Sequence, residues 1–149
     1  MLLKTRLHEH LFQLLEKRIS LLTAQRTQMS HDSTESGKGS AGDKHEVGIA
    51  MAQLEIEKID QQISLAQQQL SALKRLDPNQ VHEQVQSGSL FQANGQVFYC
   101  AVPLGQIELD GSTVFCLSPE APIFLAIKGK NIGDAIIFNS KTWTIELLA

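Results

Sequence analysis

Two acids stand three residues apart in Gly42-Asp43-Lys44-His45-Glu46, directly after a glycine- and serine-rich stretch, SGKGSAG. Carboxylates at that spacing share one face of a helix. Such a pair could be carboxylates held out at the end of a helical rod. The same pattern, an acid at the N-cap and glutamate three residues later, is a capping box worth about 1 kcal/mol to a helix. Both readings stand on these residues alone. His31 and His45 flank the loop, but surface histidines without cysteine partners rarely hold metal. Asp32 and Glu35 read as loop carboxylates facing water. Cys100 and Cys116, the two cysteines, form neither a disulfide framework nor a four-ligand zinc site. They read as reduced, buried thiols of a cytosolic protein.

The elements that must position the acids are helices. From Leu2 to about Ser30 the apolar residues Leu7, Leu11, Leu14, Leu15, Ile19, Leu22 and Met29 follow a helical period, without proline or glycine. A second helix is expected over Asp43–Leu76. There Ile56, Ile59, Ile63, Ala66, Leu70 and Leu73 alternate in steps of three and four, and Ile49 and Ala52 extend the seam backwards. Asp77-Pro78 ends it. Two narrow-striped helices joined by a polar loop at about 31–43 bury their stripes by folding back on each other. At about 1.5 Å per residue such a hairpin is roughly 45 Å long.

After a linker at 79–87 the pattern turns to short β-like runs. Leu90–Ala93 meets Asn94-Gly95 and then Val97–Ala101. Gln106–Leu109 meets Asp110-Gly111 and then Thr113–Leu117. Ala135–Phe138 and Thr142–Leu147 pair across Asn139-Ser140-Lys141. Pro122 opens a short helix that Gly129 closes. The expected fold is therefore α+β. An antiparallel coiled-coil hairpin (1–78) precedes a small antiparallel β-sheet domain with one short helix (79–149).

Charge narrows the function. The net charge is −3. Residues 1–26 hold five basic and two acidic side chains, whereas residues 79–149 hold three basic and six acidic ones. No strong basic patch supports unaided nucleic-acid binding. No run is apolar enough to span a bilayer, and the charged N-terminus is no secretory signal.

The hairpin-plus-β-domain order resembles the Gre family of bacterial transcript-cleavage factors, over nearly the whole chain. The resemblance is carried by Ser118, Ala121-Pro122, the apolar helix Ile123–Ile127, Gly129-Lys130 and Gly133-Asp134, together with Gly42-Asp43-x-x-Glu46. It implies a C-terminal domain shaped like the FK506-binding-protein fold. It further implies a cytoplasmic, monomeric elongation factor whose partner is RNA polymerase. The resemblance also implies that the hairpin enters the secondary channel, that Asp43 and Glu46 help hold a Mg²⁺ shared with the polymerase, and that the polymerase rather than this chain hydrolyses backtracked RNA. Ser118, Ala121, Pro122 and Ile123 are implied to face the polymerase. The sequence leaves alternatives open: a channel-occupying regulator without cleavage activity, a prolyl isomerase, or a coiled-coil scaffold.

Overall fold

The computed structural model describes the backbone of residues 2–36 and 42–149, and the side chains of these except 33–36 and 42–45. Two long helices come first, α1 (Leu2–Ser36) and α2 (Gly42–Lys74). Then follow β1 (Leu90–Ala93), β2 (Gln96–Cys100), β3 (Gly105–Leu109), β4 (Ser112–Leu117), α3 (Pro122–Ile127), β5 (Ala135–Phe138) and β6 (Lys141–Leu148). The chain divides into two compact units. One comprises residues 12–71; the other comprises residues 1–11 and 72–149. The division thus runs through α1 and α2 rather than at Pro78, because the first turns of α1 pack with the β-rich unit.

In the helical unit, α1 and α2 run antiparallel. Arg26 meets Asp60, while the earlier Arg18 and Leu22 share a groove with the later Gln62, Leu65, Ala66 and Gln69. The α2 seam is as its period requires. Ile59 and Ala66 are buried, Ile49, Ala52, Ile56 and Ile63 are half-buried, and the residues between them are exposed. On α1 the matching line is Leu15, Ile19, Leu22, Arg26 and Met29. Arg26 fills the step the apolar pattern omits, and its Nε donates to Asp60 Oδ1 at 2.5 Å. The first helix continues to Ser36, six residues beyond its apolar period, so the interhelical segment is shorter than 31–43.

The β-rich unit holds a six-stranded sheet in the order β3-β4-β2-β1-β6-β5. All three expected hairpins form, each through a two-residue turn. Asn94-Gly95, Asp110-Gly111 and Asn139-Ser140 have positive φ at both positions, which matches the right-handed twist of the flanking strands. The sheet is mixed rather than purely antiparallel, because β2 and β4 pair in parallel. Two consecutive hairpins need not lie side by side head to tail. Here the β3–β4 hairpin returns its second strand against β2, giving the register Phe98↔Phe115 and Tyr99↔Cys116.

One face of the sheet carries Phe91, Ala93, Phe98, Cys100 and Ile145, packed with Phe124 and Ile127 of α3 and with Val85. Phe98 is the centre of an aromatic group. It stacks on Phe91 at 5.2 Å and meets Phe115 at 5.7 Å and Trp143 at 6.0 Å. The segment 79–87, expected as a linker, is part of this core. Val85 is fully buried and exchanges backbone hydrogen bonds with Gly129 and Lys130. The other face receives the start of α1. Leu3 closes a small cavity with Leu90, Val97 and Leu147, and the Tyr99 hydroxyl and His8 Nδ1 share a hydrogen bond of 2.7 Å. Burial pushes the Tyr99 phenol up, so it stays protonated at neutral pH. Lys4 is 1% exposed, with its stem buried and its Nζ donating to the Gln80 carbonyl at 2.7 Å.

Candidate functional site

Gly42 opens α2, so Asp43 and Glu46 fall in the first turn after the chain reverses. Glu46 is exposed. The side chains of Asp43 and His45 lie outside the described residues. Because the two helices of this unit are antiparallel, the turn at 42–46 is the end opposite residues 12 and 71. At about 1.5 Å per residue that separation is roughly 40 Å. An acid at a helix start is favoured by the macrodipole, so the local chemistry that could present a ligand also stabilises the helix.

Two carboxylates on one helical face fit Mg²⁺ only as part of its octahedral set, with water and a partner supplying the rest. Among the described residues no group of three or more His, Cys, Asp or Glu side chains could hold a metal ion. His31 is exposed, and Asp32 accepts a hydrogen bond from Gln28 Nε2 at 3.0 Å within α1. Gly48, two residues beyond Glu46, would meet nothing within 4 Å if it carried a Cβ. Packing therefore does not require the glycine.

The second set of residues gathers at α3. Ser118 Oγ accepts from the Glu120 amide at 3.1 Å and donates to the Glu120 carboxylate, folding the chain before the helix. Ala121 is the N-cap, with extended backbone, and Pro122 takes the first helical position, where a missing N–H costs nothing. Pro122 is exposed, whereas Ala121 and Ile123 pack partly against the core. The face open to a partner at α3 therefore centres on Pro122 and on Leu125, which is 59% exposed. Sequence reading omitted Leu125; its signal was a helical position out of phase with buried Phe124 and Ile127.

The thiols have no chemistry of this kind. Cys116 sits beside Tyr99 on the adjacent strand, while Cys100, the next residue along β2, points to the opposite face. Burial pushes both thiols up to about 12, so neither is a thiolate at neutral pH. The aromatics that an isomerase pocket would need, Phe91, Phe98, Phe115, Phe124 and Trp143, are used in the core.

No protein-family model matches the chain, and no curated protein matches it. Among solved structures, that of the transcription factor Gfh1 aligns with 95% of this chain and 92% of its own. The two are 18% identical, with a TM-score of 0.34. Agreement at that level carries no argument about function, which rests instead on this chain's own residues. Among the described residues no helix is long and apolar enough to cross a membrane.

Proposed function

We propose that this chain is an RNA polymerase-binding elongation factor that stimulates cleavage of backtracked RNA. The observation that carries the reading is the position of the acids. The motif Gly42-Asp43-x-x-Glu46 occupies the first turn of α2, at the reversing end of a helical pair. The motif at 118–134, around α3, supports the same reading from the other unit. Asp43 and Glu46 would contribute two ligands to a Mg²⁺ whose remaining sites come from water and the polymerase. When bound, such an ion polarises a water for attack on phosphate. The chain's own part is to bring two carboxylates to a site it does not itself enclose. It is a stimulating factor rather than an enzyme, and Ser118, Ala121, Pro122 and Ile123 form its polymerase-facing segment.

A second reading, a factor that occupies the channel without cleavage, is favoured by the residues after Glu46. Val47 is apolar and exposed, and Gly48 loosens the first turns by up to about 1 kcal/mol. One experiment separates the two. Polymerase from the source organism is stalled in a backtracked complex and mixed with the chain and Mg²⁺. RNA shortening that Asp43→Asn and Glu46→Gln each abolish, with binding retained, supports cleavage stimulation. Binding without shortening supports the second reading. Neither binding nor shortening defeats both.

A further inference from the structure

Of the two edges of the sheet, β3 and β5, one is guarded and the other is not. On β5 the turn Asn139-Ser140 makes Phe138↔Lys141 a pair that exchanges hydrogen bonds with β6, and Ile136↔Trp143 follows by alternation. The N–H and C=O of Ala135 and Ile137 therefore point away from β6. Among the described residues no other backbone group bonds to them. Their side chains are exposed, Ile137 by 78%. The strand has no charge, no proline and no bulge from Ala135 to Phe138. The same reasoning on β3, from the turn Asp110-Gly111, sets the backbone groups of Gln106 and Glu108 outward. A charged residue such as Glu108 is how sheets discourage further pairing.

A row of unpaired backbone groups takes an extended strand, and the pattern of β5 fits a second β5. Antiparallel pairing about a twofold axis at Ile136 sets Ala135 of each copy opposite Ile137 of the other. Each such pair exchanges both N–H···O bonds. The protruding isoleucine then lies beside a methyl group rather than a second isoleucine. On the opposite face Ile136 meets Ile136, and Asp134 meets Phe138, so no like charges stand opposite. An axis at Ala135 or at Ile137 leaves one of the outward residues facing a turn or loop instead of a strand. Head-to-tail pairing with β3 puts Glu108 against Ala135 or Ile137 and takes its charge out of water. The strand is four residues long. The contact therefore falls well under the roughly 1,200 Å² of a standard interface, and the association is weak.

We propose that β5 pairs antiparallel with β5 of a second copy, joining the two sheets in a weak, reversible dimer. This departs from the monomer that the family resemblance implies, and it holds whether or not the chain acts on polymerase. Sedimentation of the full chain from micromolar to millimolar concentration should show a monomer–dimer equilibrium. Over that range amide exchange, read residue by residue by NMR, should slow at Ala135 and Ile137 and stay unchanged at Gln106 and Glu108. Ile137→Lys sets two like charges diagonally across the axis and should weaken the dimer by about 10-fold or more. The Ile137 side chain is already in water in the monomer, so circular dichroism should show the fold intact. Gln106→Lys, at the other edge, should leave the dimer as it is. A monomer throughout, growth beyond a dimer, or a dimer with unchanged exchange at Ala135 and Ile137 would overturn the proposal. So would indifference to Ile137→Lys, or equal weakening by Gln106→Lys.

Discussion

The two units solve the problem of holding a chain in register by opposite means. In the β-rich unit every strand is fixed several times over. Phe98 touches three other aromatic rings. Asn94 donates to the Thr142 carbonyl at 2.7 Å and accepts from the Thr144 amide, and Glu146 accepts from Gln92 and from the Gly95 amide. In the helical unit a narrow seam, with the Arg26–Asp60 ion pair between the two helices, sets the alignment. A helix pair bound by a narrow seam leaves most of its described residues exposed, whereas a small sheet must spend most of its apolar surface on its own core.

The contrast breaks most severely at Phe98. Phe98→Ala should cost about 3–5 kcal/mol, read as a lower urea midpoint in the fluorescence of Trp143, the only tryptophan. The helical ellipticity should change far less. Next comes Lys4, buried in the β-rich unit although charged. Lys4→Ala removes a packed stem and strands the Gln80 carbonyl, with an expected cost of about 2–3 kcal/mol. Lys4→Met keeps the stem and should recover much of that loss.

Acid should separate the units as well. Burial first, and then the charge on Lys4, holds His8 and His82 below the ordinary value of 6.5, although Asp77 pulls His8 back upward. The unfolded chain therefore takes up protons first. The two histidines contribute stability above pH 6.5 and lose it as pH falls through their folded values. The Trp143 transition should weaken on acidification below 6.5, and His82→Gln should blunt that slope. On the helical side, Gly48→Ala has open space for its methyl group and should raise thermal stability by about 0.5–1 kcal/mol. The smallest effect is at Arg26–Asp60. Both groups are half in water, so a double-mutant cycle on them should give a small coupling that high salt removes.

The parts legible in sequence were those with a strict period or a turn chemistry. The α2 seam could be read residue by residue because every position of its three-four alternation from Ile49 to Leu73 is apolar. Two hairpins could be read from Asn94-Gly95 and Asp110-Gly111, since these turns need positive φ, whereas the third turn, expected over Asn139-Ser140-Lys141, is the two residues Asn139-Ser140, and Lys141 already belongs to β6. The parallel pairing of β2 with β4 was not legible, because each strand's alternation fixes its faces but not its neighbour. Val85 in the core was missed because one valine among polar residues has no period. Arg26 was missed because an arginine at a seam position looks like a gap until Asp60 stands opposite. The acids at 43 and 46 were visible as a motif, but a cap and a metal ligand demand the same residues at the same spacing.

In the proposed function, distance along the hairpin brings the acids to their site. Deleting one matched heptad from each helix, residues 16–22 and 63–69, keeps the seam in phase and draws the acids back by about 10 Å. This variant should still bind polymerase but no longer shorten backtracked RNA. Undiminished RNA cleavage by the shortened hairpin would contradict it.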